Sequence, residues 1–481
     1  MIGKESEAFM KKYISIIMAV LLICLTVTSC TSPANTTPTT TPAPVPTTPT
    51  TVNEADLSKV KASYEAKLNS YIDLMLTLGV ALKEGDDLFI DGNIESYEIM
   101  NSIALRAYEK GAKMVYLNCK NKTLENANAK YLKDEAYVEY PFLPELLSGF
   151  VGYTRPNAKV IILHDYFFEE KTNASEQELN DYTDKMLEAR KTVIEKDPDF
   201  YDKLFGLNNP KNSIGGITTI AVPTKVWAKK IYPELNEEAA YYKLADDLFG
   251  FMYVTEQGST LTKHLMEIAA RRDAFNEMNI VSLHYSSPTV ELEVPLHKNN
   301  KFFSMPFERN GDILASNIPS AEICGLPTKY GANGTVENTR PLVFNGSQVI
   351  DGIKLEFKDG KLVNYSVKEN PEAFEAIMKQ MPEGVYLGEI AMVSSDSPIF
   401  QSGKVYYSTL IDENSGAHLA IGSALVDVNL KDGAEIDDDV AIAADHHDIV
   451  IGSEDLKVTA TLQDGSKVVL IQDGKWASLN K

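Results

Sequence analysis

Residues 84–119 read EGDDLFIDGNIESYEIMNSIALRAYEKGAKMVYLNC, two short apolar runs on either side of a helix-like segment. The runs LFI (88–90) and MVYLNC (114–119) have the length and composition of buried strands. The segment between them has apolar residues at helical spacing and closes at Gly111, a residue type that ends many helices. A strand, a helix and a strand in succession predict two parallel strands joined by a crossover helix.

The same alternation continues along the first half of the chain. AKVIILHDY (158–166) and ITTIAVP (217–223) repeat the strand pattern, and the charged segment SEQELNDYTDKMLEARKTVIEK (175–196) between them is predicted to be a helix. We therefore predict an N-terminal α/β domain with a largely parallel sheet over residues 53–275. His164, at the end of one of these strands, is interpreted as a structural histidine.

The secondary structure that the sequence predicts changes after Arg271 and Arg272. TVELEVPL (289–296) alternates apolar and acidic residues, as a half-exposed antiparallel strand does. The segments that follow are mostly short strand patterns joined by Gly, Asn and Asp turns. We predict a C-terminal, strand-rich α+β domain over residues 276–481, so that the predicted fold class is α/β, with an N-terminal α/β domain followed by this second domain.

The N-terminus has the pattern of an export signal. Lys11 and Lys12 precede an apolar run at 16–27 that is too short for a comfortable membrane span and leads into Val-Thr-Ser-Cys at 27–30. This resembles the cleavage site of bacterial lipoproteins, in which the cysteine is lipidated. We predict a lipoprotein signal peptide over residues 1–29 and lipidation of Cys30; simple cleavage and an uncleaved anchor are the alternatives.

The segment after Cys30 is dominated by two residue types. Sixteen of the 22 residues from 31 to 52 are Thr or Pro, a composition that cannot build a core and favours an extended tether. Residues 30–52 are therefore predicted to link the folded body to a membrane. The predicted location is extracytoplasmic, anchored to the cell membrane as a lipoprotein.

Bulk composition narrows the class of protein further. The chain has 481 residues, 44% of them hydrophobic, enough for more than one domain with its own core. Its formal net charge of −22 would repel a phosphate backbone, which argues against nucleic acid as a partner. In the predicted mature body only Cys119 and Cys324 remain, without a CxxC spacing, and we interpret them as two free buried thiols.

Several charged residues of the C-terminal half lie where charge is costly. Glu389 is the only charged residue in VYLGEIAMV (385–393), and burial of an unpaired carboxylate costs several kcal/mol. Glu322 in NIPSAEICGLP (317–327) has similar apolar flanks. His446 and Asp448 are two apart at the start of a strand pattern, so their side chains should share one face.

The segment IDENSGAHLAIG (411–422) adds Glu413 and His418. Turn chemistry on a surface loop explains residues 412–414, but it does not explain the histidine. Together the C-terminal half offers oxygen and nitrogen donors that suit Zn, Co or Mn, with enough carboxylates to neutralise two divalent ions. Such a paired site activates water for hydrolysis. Taken singly, each residue could equally be a structural cap, ion pair or loop residue. The candidate ligands are Glu322, Glu389, Glu413, His418, His446 and Asp448.

These motifs resemble those of the dinuclear metallo-aminopeptidase family of aminopeptidase T, aminopeptidase S and PepS. The similarity extends from about residue 65 to Trp476 and rests on IAVPTKVWAKKIYPEL, SNIPSAEICGLP, YLGEIAMV, STLIDENSGAHLAIG and HHDIVIGSEDL, followed by DGSKVVLIQDGKW. The resemblance implies that the same six residues bind two metal ions, with Glu389 bridging them. It also implies peptide substrates and a homodimer. Glu389 and Glu413 are the predicted catalytic residues.

One departure from the family pattern bears on activity. The family usually carries a tyrosine seven residues after the motif histidine, where this chain has Leu425, and Ala321 stands where some relatives have a second glutamate. Tyr406 or Tyr407 could supply a replacement hydroxyl.

The leading hypothesis from the motifs and the N-terminal segment is a surface-tethered aminopeptidase. The alternative is a catalytically weak or inactive homologue that binds peptides as a surface lipoprotein.

Overall fold

The computed structural model describes residues 54–132, 157–165, 214–344, 348–381, 383–443 and 445–478, with a few positions between 174 and 185. The predicted signal peptide, Cys30, the tether and most of the helix predicted at 175–196 lie outside these residues. Within the described part of the chain, no helix combines the length and apolar character needed to cross a bilayer.

Among the described residues, all helices longer than nine residues lie before residue 278, and those after it have nine residues or fewer. They are α1 (Glu54–Leu74), α2 (Tyr97–Glu109), α3 (Lys122–Tyr131), α4 (Lys225–Ile231), α5 (Glu237–Phe251), α6 (Leu261–Glu277), α7 (Pro371–Lys379), α8 (Pro398–Gln401), α9 (Thr409–Asp412) and α10 (Val426–Asn429).

Most of the described strands, by contrast, lie after residue 278. Those up to residue 318 are β1 (Asp87–Asn93), β2 (Met114–Lys120), β3 (Ala158–His164), β4 (Gly216–Ala221), β5 (Val254–Thr255), β6 (Gly258–Ser259), β7 (Ile280–Ser287), β8 (Val290–Pro295), β9 (Phe307–Arg309), β10 (Asp312–Leu314) and β11 (Asn317–Ile318). Those beyond it are β12 (Ile323–Gly325), β13 (Asn333–Glu337), β14 (Leu342–Phe344), β15 (Gln348–Ile350), β16 (Lys354–Lys358), β17 (Lys361–Ser366), β18 (Leu387–Met392), β19 (His418–Gly422), β20 (His446–Val450), β21 (Lys457–Leu462), β22 (Lys467–Gln472) and β23 (Lys475–Trp476).

The chain divides into two compact units, and the described part of the first covers residues 54–261 and 308–318. Its sheet is parallel throughout, in the order β11-β4-β3-β1-β2. β3 is buried along its whole length and β1 along all but its last residue, as expected for central strands covered on both faces. Strand β1 pairs with β2 in the register Asp87↔Met114, which confirms the crossover unit predicted from residues 84–119.

The described part of the second unit covers residues 262–307 and 319–478. Its larger sheet is antiparallel and has the order β17-β16-β13-β8-β7-β21-β22-β23. The predicted strand at 289–296 is β8, where buried and less buried residues alternate as expected. The predicted fold class is confirmed, whereas the residue limits proposed for the domains stay predictions.

A smaller antiparallel sheet in the second unit has the order β12-β18-β19-β20. Each residue of β18 and β19 is buried. Next to Glu389, Gly388 approaches a neighbouring segment so closely that an added Cβ would lie 2.3 Å from the carbonyl oxygen of Ser423. Only glycine fits this position without displacing backbone, so the contact fixes β18 against the chain that follows β19.

Candidate metal centre

The small sheet carries the acidic and histidine residues singled out from the sequence. Glu389 lies in β18, His418 begins β19, and Asp448 lies in β20. The register pairs Glu389 with Ala420 and Ala420 with Asp448, so three adjacent strands present these positions in one row. Antiparallel pairing therefore brings together residues that are far apart in the sequence.

One group of three donors consists of Glu322, Glu389 and His418. Glu322 comes directly before β12, the edge strand that pairs with β18. The Nε2 atom of His418 lies 3.1 Å from Oε2 of Glu322 and 3.6 Å from Oε1 of Glu389. One donor atom from each residue lies within 4.8 Å of the other two, a spacing that fits a shared metal ion.

A second group of three shares Glu389 with the first and adds His446 and Asp448, with the same 4.8 Å limit between donor atoms. The Nε2 atom of His446 lies 3.2 Å from Oδ1 of Asp448. The two groups are also close to each other, since Nε2 of His418 is 4.0 Å from Oδ1 of Asp448. Glu389 is therefore the carboxylate that the two donor groups have in common.

Backbone carbonyls orient both imidazoles. Nδ1 of His418 lies 3.2 Å from the carbonyl oxygen of Gly416, and Nδ1 of His446 lies 2.7 Å from that of Ser423. A carbonyl only accepts, so Nδ1 carries the hydrogen and donates it. This arrangement aims Nε2 of each ring at the carboxylates and resembles the outer-shell support common around metal-binding histidines.

Glu389 itself supplies the observation that bears most directly on a metal. Its side chain is 3% exposed, yet Oε2 has no hydrogen-bond partner among protein groups. A buried carboxylate oxygen without a partner is costly, and a divalent cation would remove that cost. The donors, carboxylate oxygens and imidazole nitrogens, match Zn, Co or Mn, so the residues present fit the metal that the sequence motifs imply.

The electrostatics of the cluster show how strongly its groups interact. Burial raises the pKa of Glu389. Burial alone would lower the pKa of His446, but the charge of Asp448 and its hydrogen bond raise it to about 10. Burial would likewise raise the pKa of Asp448, but the charge of His446 and the same hydrogen bond lower it to about 2. Burial alone would also lower the pKa of His418, but its hydrogen bonds to Glu322 and Glu389 raise that pKa well above the usual value.

Glu413, the sixth predicted residue, stands beside the two groups rather than within them. It is half-buried, and its Oε1 accepts a hydrogen bond of 3.2 Å from Nδ2 of Asn414. Burial and then the charges of Asp448 and Glu322 raise its pKa well above the usual value. Glu413 thus shares the electrostatic field of the cluster while it keeps some access to solvent.

Its two neighbours were misread from the sequence. Asp412 is 7% exposed and Asn414 is fully buried, so the interpretation of residues 412–414 as a surface loop is wrong. The Asp412 carboxylate accepts the N–H groups of Tyr406 at 2.8 Å and Ser408 at 3.0 Å, and burial raises its pKa to about 6. The two polar residues that flank Glu413 were the only sequence signal for this buried network, and an exposed turn explains the same residues equally well.

The other candidate residues have varied surroundings. Leu425 is half-buried and directly precedes α10. Tyr406 is fully buried, whereas Tyr407 is half-buried and has a left-handed φ of 56°. His164, in the first unit, packs edge-to-face against Trp227, and burial lowers its pKa to about 3.

Both cysteines of the described region are free. Cys324 is buried as expected, but Cys119 is half-buried, because β2 lies at the edge of its sheet.

With the geometry in place, comparison with known proteins identifies the family. The profile of the thermophilic metalloproteases, M29, matches residues 64–476. The chain belongs to this family. The predicted family and the predicted class of enzyme, a metallo-aminopeptidase, are confirmed.

Curated relatives of this M29 chain are similar over nearly their full lengths. Aminopeptidase 2 of Geobacillus stearothermophilus is 29% identical, with 86% of this chain and 98% of the relative covered. Aminopeptidase AmpS of Bacillus subtilis is 26% identical, and aminopeptidase T of Thermus aquaticus is 25% identical, each covering 86% of this chain and 99% of the relative. The solved structure of AmpT from Thermus thermophilus superposes with a TM-score of 0.73 at 21% identity, over 86% of this chain and 100% of that chain, and it shows that the fold is shared.

The raised pKa values lead to a prediction about metal binding and pH. His446, with a pKa of about 10, and Glu413 hold protons that a bound cation must displace. These groups lose protons as pH rises, so affinity for Zn or Co should increase with pH, by about tenfold per unit for each proton released. Titration of chelator-treated protein at pH 6, 7 and 8 measures this slope. Glu389→Gln should abolish most of the binding; metal affinity that is independent of pH, or unchanged in Glu389→Gln, would contradict the assignment.

Proposed function

We propose that this M29 chain is a metal-dependent aminopeptidase in which two divalent ions are held by Glu322, Glu389, Glu413, His418, His446 and Asp448. The single observation that carries the proposal is the Glu389 carboxylate, which belongs to two donor groups and has a buried oxygen without a partner. Zn, Co and Mn all suit the donor set.

Five residues of the chain would hold the metal ions, and a sixth, Glu413, would also transfer a proton during hydrolysis. Glu322 and His418 would hold one side of the centre, His446 and Asp448 would hold the other, and Glu389 belongs to both donor groups. Divalent ions held there would supply Lewis acidity, which lowers the pKa of water and polarises the carbonyl of the peptide bond. Glu413 lies beside these two groups and keeps partial access to solvent, so it is the ligand proposed also to exchange a proton with the attacking water and pass it to the leaving amine.

Two considerations favour removal of N-terminal residues over cleavage within a chain. The curated relatives are named aminopeptidases. A free N-terminus also carries an α-amine that a carboxylate or a metal ion of the centre can receive, and an internal peptide bond lacks this group. The substrates proposed for this chain are therefore peptides with an unblocked N-terminus.

Hydrolysis of leucine p-nitroanilide tests the activity. The chain from residue 53 to 481 is treated with chelator, Zn, Co or Mn is added back, and release of p-nitroaniline is measured beside Glu389→Gln. Activity restored by metal and lost in the variant is the expected result, because the variant loses the bridging carboxylate. A metal-loaded wild-type protein that is silent on a panel of aminoacyl substrates would instead favour the peptide-binding lipoprotein.

Leu425 gives a second test of the same proposal. The family resemblance implies that a tyrosine at this position donates a hydrogen bond to the developing oxyanion, and loss of one such donor typically lowers the rate by about 10² to 10³. Leu425→Tyr should therefore raise kcat tenfold or more, whereas Leu425→Phe adds the ring without the hydroxyl and should not. Equal kcat values for the two variants would show that the catalytic hydroxyl comes from elsewhere or is not needed.

The proposed location is the outer face of the cytoplasmic membrane, supported by the apolar run at 16–27, by Cys30 and by the Thr- and Pro-rich segment that follows. Fatty-acid labelling of cells that express the wild type or Cys30→Ser tests the anchor. Label should appear in the membrane fraction only with the wild type, and equal labelling of both chains would rule lipidation of Cys30 out. The homodimer implied by the family resemblance is part of the same proposal, and sedimentation velocity separates it from a monomer.

A further inference from the structure

A buried amide connects two of the segments that carry the candidate ligands. Asn414 is 0% exposed. Its Oδ1 accepts the backbone N–H of Ala321 at 2.6 Å. Its Nδ2 donates to Oε1 of Glu413 and to the carbonyl oxygen of Leu410, both at 3.2 Å, and to that of Pro319 at 3.5 Å. Both ends of the amide are therefore engaged inside the protein.

The partners of this amide are the informative part. Ala321 is the residue directly before Glu322, and Asn414 directly follows Glu413. The hydrogen bond between Asn414 and Ala321 spans 93 positions of sequence, and it joins two chain segments that have no strand pairing of their own at this point. The position of one carboxylate is thus tied to the position of the other through a single side chain.

The backbone on either side of Glu413 is anchored as well. The Asp412 carboxylate binds the N–H groups of Tyr406 and Ser408, and the hydroxyl of Ser397 donates to the carbonyl oxygen of Asn414 at 2.9 Å. With its neighbours held in this way, Glu413 retains mainly the freedom of its own side chain. The hydrogen bond from Asn414 restrains that remaining freedom.

We propose that Asn414 is a positioning residue of the metal centre: it aims the Glu413 carboxylate and fixes its distance from the segment that carries Glu322. The proposal rests on the proposed function, since it assumes that the cluster binds metal. Hydrogen bonds that orient ligands from outside the first coordination sphere are typically worth about 10- to 100-fold in metal affinity. Asn414 should fall in that range although it does not contact the ion.

Two substitutions remove these connections to different extents. Asn414→Asp keeps an oxygen for the N–H of Ala321, but it removes the donor to Glu413 and to the carbonyl oxygens of Leu410 and Pro319, and it sets a second negative charge against Glu413. Asn414→Ala removes both connections and leaves a buried N–H unsatisfied. The aspartate variant is thus the informative one if the alanine variant folds poorly.

Asn338 provides a matched control in the same unit. It is buried, its Oδ1 accepts the N–H of Ile353 at 2.7 Å, and its Nδ2 donates to Oδ1 of Asp351 at 2.9 Å. Asn338→Asp therefore makes the same chemical change, with the same added charge, next to a carboxylate that is not a candidate ligand. Any general effect of burying an extra carboxyl group appears in both aspartate variants.

The experiment measures cobalt(II) affinity of the full-length protein by its visible absorption, together with thermal unfolding. Asn414→Asp should bind cobalt about 10- to 100-fold more weakly than the wild type and Asn338→Asp, while the Tm values of the two variants stay close to each other. In a Glu413→Gln background, Asn414→Asp should cost less than threefold, because the carboxylate through which it acts is gone.

Three results would overturn the proposal: wild-type affinity in Asn414→Asp, equal losses in the two aspartate variants, or a full additional loss in the Glu413→Gln background. Failure of the underlying function has a different signature, since the wild-type protein itself would then bind no cobalt at this centre.

Discussion

Four carboxylates packed beside two imidazoles impose the constraint on which the second unit depends. Each buried charge without compensation costs several kcal/mol, so the groups are stable only when held close enough to neutralise one another or a shared cation. The small antiparallel sheet achieves this by register. A slip of one residue in β18 or β20 would turn Glu389 or Asp448 to the opposite face of the sheet, away from the other donors. The close approach of Gly388 to Ser423 works against such a slip, because backbone meets backbone there.

The two histidines show how the surrounding chain supports the centre without being part of it. The carbonyl groups of Gly416 and Ser423 accept hydrogen bonds from the far side of each ring, which leaves Nε2 directed at the carboxylates. Asn414 has a corresponding place beside Glu413. The charged groups of the centre are therefore oriented by neutral hydrogen-bonding partners, which add no further charge to the cluster.

Sequence reasoning predicted the fold class, which is confirmed, and nominated site residues, which stay predictions; the two rest on different physical signals. The crossover unit at 84–119 was visible because apolar periodicity is a local signal. Glu389 was found because a lone carboxylate in an apolar strand needs compensation, and five of the six candidates do lie in the two donor groups. Asp412 and Asn414 were missed, because polar residues in a turn read the same whether they face water or the interior. The edge position of β2, which leaves Cys119 half-buried, depends on strand order, which no local pattern encodes.

The order of these residues along the chain has a consequence for biosynthesis. Glu322 is the first of the six and Asp448 the last, so the ribosome must complete 448 of the 481 residues before the donor set exists. The first unit can fold while the second is still being made, as domains commonly do. During most of translation the nascent chain therefore carries no assembled hydrolytic centre. A transcript truncated upstream of codon 446 would yield a product without His446 and Asp448, in which the second donor group cannot form. The order in which the small sheet takes its strands from the chain therefore delays assembly of the donor set until translation is nearly complete.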